Sequence, residues 1–65
     1  MAETAGKVGE VKGGVSGETF EVYYHDISGV YRLNKKGDAK NDIAMRVVGS
    51  PNEAMRAAEE DAKGK

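Results

Sequence analysis

Sixty-five residues with no cysteine and one histidine exclude the usual supports of a very small domain: no disulfide can form, and His25 with scattered carboxylates cannot assemble a tetrahedral zinc site. Ten basic side chains against 11 acidic ones give a formal net charge of -1, which excludes a protein that coats nucleic acid by bulk charge alone. No apolar run is long enough to span a bilayer and MAETAGKVGEV lacks a signal-peptide pattern, so the chain reads as one domain at most, soluble and cytoplasmic.

The first segment, MAETAGKVGEVKGGVSG, holds Gly6, Gly9, Gly13, Gly14 and Gly17. Its valines, Val8, Val11 and Val15, follow neither a strand period nor a sustained helical one. Glycine raises the entropy cost of ordering, and three isolated valines bury little to offset it. Residues 1–17 therefore read as a flexible tail, with a short edge strand around Val8 to Lys12, or ordering on contact with a partner, as the alternatives.

From Glu18 the pattern changes. Thr19 to His25 alternates aromatic and β-branched residues with polar ones, and Val30 to Asn34 does so again after Asp26-Ile27-Ser28-Gly29, a cluster of turn formers. A hairpin with this connection places His25 opposite Val30, Tyr24 opposite Tyr31, Tyr23 opposite Arg32 and Val22 opposite Leu33. Phe20, Val22, Tyr24, Tyr31 and Leu33 then share one face. Glu21, Tyr23, His25, Val30, Arg32 and Asn34 share the other.

KKGDAKND follows as a polar loop of about eight residues. Ile43 to Val48 reads as a third strand, with Ile43, Met45 and Val47 assigned to the core by size. Ala44, Arg46 and Val48 go to the opposite side, beside Tyr23 and Arg32. In SPNEAMRAAEEDAK, Ser50 suits an N-cap, Pro51 the first helical position, and Glu53 stands three residues after the cap, as a capping box needs. Ala54, Met55, Ala58 and Ala62 fall on one side of that helix, while Arg56, Glu59, Glu60 and Lys63 face water. The fold class expected is α+β: a three-stranded antiparallel sheet covered on one face by the C-terminal helix, formed by residues 18–65.

Charge is unevenly distributed. Residues 29–46 carry Arg32, Lys35, Lys36, Lys40 and Arg46 against Asp38 and Asp42, whereas residues 47–62 carry Arg56 against Glu53, Glu59, Glu60 and Asp61. The acidic helix would repel a wrapping duplex, so any nucleic acid is confined to the sheet side.

Signals for chemistry are weak by comparison. His25 has Asp26 and Ser28 close in sequence, as a nucleophilic triad would need, but both are residues that a turn uses to bond its own backbone. A chain this small hardly encloses a pocket that excludes water. The glycines of KVGEVKGGVSG lack the order of a phosphate loop. The reading is therefore non-enzymatic, with no metal, no cofactor and no small-molecule substrate.

The open sheet face is the sharper candidate. Tyr23, His25, Arg32, Asn34 and Arg46 would form an aromatic and cationic patch on rigid strands, suited to anchoring a protein or stacking a base. Tyr23 and Arg32 are equally well explained as a cross-strand pair that stabilises the hairpin. Lys35, Lys36 and Lys40 read as phosphate contacts beside the patch or as solubilising residues at a turn.

The spacing of Gly29, Tyr31, Leu33 and Gly37, followed by Val47, Ser50, Glu53-Ala54, Ala58 and Ala62-Lys63, resembles a family of short bacterial strand-strand-helix proteins, which usually carry Trp at the position of Tyr31. The order of three strands and a helix is also similar to AP2-type and phage-integrase arm-binding domains, a resemblance that implies DNA reading by the sheet. The residues together favour a small bacterial or phage regulatory module that recognises a partner protein through the open face. The rivals are a nucleic-acid binder using the same face with the basic loop, and a homodimer formed by sheet-edge pairing.

Overall fold

The computed structural model describes residues 5–38 and 40–65. Four strands, β1 (Ala5–Lys12), β2 (Thr19–His25), β3 (Val30–Lys35) and β4 (Asp42–Val47), precede one helix, α1 (Pro51–Ala62). All neighbours are antiparallel and the sheet order follows the chain, β1-β2-β3-β4. The architecture is α+β as expected, with one strand more than the three expected.

The central hairpin has the register that its turn residues imply, with Tyr23 opposite Arg32 and Tyr24 opposite Tyr31. Gly29 makes the return: at φ 72 it takes the left-handed conformation that a residue with a side chain resists, and its N–H bonds the His25 carbonyl at 2.7 Å. Phe20, Val22, Tyr31 and Leu33 are buried against Ala54, Ala57, Ala58 and Ala62 of α1. Alanines on that helix face let its backbone lie close to the sheet.

Helix α1 starts where the sequence indicates. Ser50 Oγ accepts the Glu53 N–H at 3.3 Å, and the Glu53 carboxylate in return accepts the Gly49 N–H. The Glu53 N–H, an orphaned donor of the first turn, is thereby satisfied, together with the Gly49 N–H that precedes the cap.

The glycine-rich segment is not the flexible tail expected of residues 1–17. Residues 1–4 lie outside the described residues, but Ala5–Lys12 is an edge strand paired along β2, and residues 13–17 form a turn docked on the end of α1. The register shifts between Lys7 and Gly9, leaving Val8 as an extra residue, a β-bulge. A regular strand would send Val8 and Val11 to opposite faces. The bulge brings both against the core, which is why their spacing carries no strand period.

Close approach, rather than freedom, accounts for Gly14. Its N–H bonds the Ala62 carbonyl at 2.8 Å, and a Cβ there would lie 2.5 Å from the Lys63 carbonyl oxygen and 3.0 Å from Lys63 Cα. Both obstacles are backbone. Gly14→Ala is expected to destabilise the fold by about 1–3 kcal/mol and to speed amide exchange at the end of α1, measured by urea unfolding and hydrogen exchange.

The second bulge lies in β4. The register shifts between Leu33 and Asn34, so that Leu33 pairs with Ala44, Asn34 pairs with Asp42, and Ile43 is the extra residue. Ile43 and Ala44 both pack toward the core. Beyond them the faces are the reverse of those expected: Met45, opposite Arg32, and Val47, opposite Val30, lie on the open face, while Arg46, opposite Tyr31, lies on the helix side. The Arg46 guanidinium donates to Asp61 Oδ1 at 3.3 Å and to the Ala57 carbonyl at 3.5 Å, and Tyr31 Oη donates to Asp61 Oδ2 at 3.0 Å. Asp61 thus ties the helix to two strands.

Candidate binding face

The sheet face away from α1 carries Lys7 and Glu10 from β1, Glu21, Tyr23 and His25 from β2, Val30, Arg32 and Asn34 from β3, and Asp42, Met45 and Val47 from β4. Its charges are organised into pairs. Lys7 Nζ lies 2.6 Å from Glu10 Oε2 and 2.9 Å from Glu21 Oε2. Those contacts raise the Lys7 ammonium pKa above its ordinary value and hold the two carboxylates below theirs, chiefly through the hydrogen bonds themselves. Tyr23, half-buried next to them, directs its hydroxyl to Glu21 Oε1 at 3.4 Å.

A second network occupies the β3–β4 end. Asp42 Oδ1 accepts from Arg32 Nε at 2.8 Å and from Asn34 Nδ2 at 2.7 Å. Burial pushes the Asp42 carboxyl pKa up, but the bonds from Asn34 and Arg32 and the nearby positive charge outweigh it, so the group sits below the ordinary aspartate value. Arg32 Nη1 also lies 3.4 Å from His25 Nε2. A guanidinium only donates, so that imidazole nitrogen is the acceptor of the pair.

Of the residues expected in the site, Tyr23, His25 and Arg32 are on this face and half-buried. Asn34 is on it but 0% exposed, bonded to Asp42 and to the Asn41 carbonyl at 3.1 Å, so it supports the bulge from beneath and offers no contact surface. Arg46, expected on this face, lies on the other one. The β4 bulge turns it to the helix side, where Asp61 and the Ala57 carbonyl hold it. Of the basic loop residues, Lys35 reaches Glu18 at 3.6 Å and Lys36 reaches Glu10 at 3.8 Å, while Lys40 is exposed.

Two residues assigned to the core belong here instead. Met45 is 62% exposed and Val47 75%. With Val30 across the ladder they make an apolar strip on an otherwise charged face. Beside it, His25, Ser28, Val30, Arg32, Asp42 and Met45 line a shallow concavity of about 440 Å³. Its lining joins two apolar side chains, Val30 and Met45, to polar and charged ones, the Asp42 carboxylate among them. Among the described residues no cluster of three or more His, Cys, Asp or Glu could hold a metal ion, and no helix is long and apolar enough to cross a membrane.

The alternation in IAMRVV points Met45 and Val47 toward the core, and the bulge at Ile43 exchanges the faces beyond it. Comparison with known proteins returns no match: no family model, no curated protein and no solved structure matches this chain.

Proposed function

We propose that the protein is a non-enzymatic binding module that recognises a partner protein through the β3–β4 end of the open sheet face. The observation that carries this reading is the exposure of Met45 and Val47 on a paired strand, directly beside the Arg32 guanidinium. Burying these exposed apolar side chains against a partner removes apolar surface from water, and a neighbouring guanidinium adds direction. The partner is an apolar side chain flanked by neutral carbonyl acceptors. Phosphate is a poorer fit, since Glu10, Glu21 and Asp42 share the face and already engage Lys7 and Arg32.

A photo-crosslinking residue at Met45 tests this in native lysate, with the same residue at Val15, an exposed apolar position outside the sheet, as control. A protein adduct specific to position 45 that is lost in Arg32→Ala is the expected result. Identical adducts from both positions, or adducts removed by nuclease, would overturn the reading.

A further inference from the structure

We infer that two copies of this chain join edge to edge through β4, antiparallel, about a two-fold axis at Met45 that runs perpendicular to the sheet. The starting point is the contrast between the two sheet edges. Both edge strands carry a bulge, at Val8 in β1 and at Ile43 in β4, but β1 adds Gly6, Gly9 and Lys12 along its edge, whereas Ala44 to Val47 of β4 runs regular beyond its bulge. β4 has β3 as its sheet neighbour on one side, and no strand among the described residues pairs with its other side. The Val48 N–H bonds the Gly29 carbonyl at 2.7 Å, so by strand alternation the N–H groups of Val47 and Met45 point outward along that edge.

The charges of β4 are turned inward within the chain. Asp42 is held by Arg32 and Asn34, and Arg46 by Asp61. An approaching strand therefore meets no uncompensated charge on β4. Helix α1 packs over β1, β2 and β3 and leaves β4 mostly exposed on both faces.

A second copy fits this edge because the sequence of β4 is self-complementary in one register. With the axis at Met45, the two Met45 side chains meet on the open face, and Arg46 of each copy falls opposite the small Ala44 of the other on the helix face. Moving the axis to Arg46 would set two guanidinium groups against each other, which is unfavourable for directly opposed like charges. The Met45 register also keeps both helices on the same side, so the sheet continues through both copies. The apolar strips of Met45 and Val47 then merge across the axis, and the two concavities flank it.

Sedimentation equilibrium and amide exchange on the full chain test the inference. The wild type should show a concentration-dependent mass approaching two copies, with slowed exchange at the Met45 and Val47 amides. Met45→Lys sets two ammonium groups together at the axis, and Val47→Pro removes an outward donor without touching the ladder to β3; each should weaken association roughly tenfold or more while circular dichroism stays native. Val15→Lys should leave it unchanged. A wild type that stays monomeric at every concentration, or a dimer that both variants leave intact, would overturn the inference. It does not rest on the partner-protein reading: that reading fails on the identity of the crosslinked species, this one on mass and edge protection.

Discussion

Tyr31→Ala is expected to leave the chain largely unfolded at room temperature. The side chain is fully buried at the centre of the sheet, and removing such a ring costs about 3–5 kcal/mol through lost burial and the cavity left behind. A domain of 65 residues holds roughly 3–10 kcal/mol in total, and this one has no disulfide to limit its unfolded state. Far-UV circular dichroism in the absence of denaturant is the direct check. Tyr31→Phe separates the ring from the hydroxyl: it keeps the packing but deletes the 3.0 Å bond to Asp61, and should cost about 1–2 kcal/mol in urea unfolding.

The same pair of variants carries a pH signature. Burial, then the hydrogen bond and charge of Asp61, raise the Tyr31 phenol pKa above its ordinary value. A group whose folded-state pKa is raised contributes stability below its unfolded pKa, about 10 for tyrosine, and that contribution is lost as pH climbs through the folded value. The wild type should therefore lose stability in strong alkali more steeply than Tyr31→Phe. Equal alkaline slopes would show that the Tyr31 phenol does not couple to folding.

Asn34→Asp should be comparably severe at neutral pH, costing roughly 3–5 kcal/mol. The wild-type amide is buried, donating to Asp42 and to the Asn41 carbonyl while its own Oδ1 has no hydrogen-bond partner. A carboxylate there would lose both donors and place a second negative charge against Asp42. Two carboxyls at that distance share a proton as pH falls, so the penalty should shrink in acid. The wild type has the opposite slope in the same window. Its Asp42 pKa is lowered on folding, so the stability linked to it is present above about pH 4 and fades as pH drops through the folded value. Urea midpoints at neutral pH and near pH 4 should thus converge between wild type and variant; a constant gap would mean that the two carboxyls do not meet.

These networks also decide what the open face can offer. Much of its charge is spent inside the chain, between Lys7 and its two glutamates and between Arg32 and Asp42, so the face presents little net charge to a partner. What it presents instead is the exposed strip of Met45 and Val47.

The hairpin, its register and the helix were all legible in the sequence because local chemistry determines each. The turn Asp26-Ile27-Ser28-Gly29 pins Tyr23 opposite Arg32, the alternation of Phe20, Val22, Tyr24, Tyr31 and Leu33 picks the core face, and Ser50-Pro51 with Glu53 starts the helix. The two outer strands were not legible in the same way, and for one reason. Each contains a bulge, at Val8 and at Ile43, that adds a residue and exchanges the faces beyond it. Nothing in the period of GKVGEV or DIAMRV marks that extra residue, because it is favoured by partners far along the chain. Over β1, Met55 of the helix packs where a side chain on Gly9 would collide with it; at β4, the buried amide of Asn34 is satisfied by Asp42, and Asp61, thirty residues beyond Tyr31, receives both Tyr31 and Arg46. The sequence by itself determined the elements and the core hairpin. Tertiary contacts with the helix and the Asn34–Asp42 pair decided which way the edge strands face, and with it the identity of the exposed site.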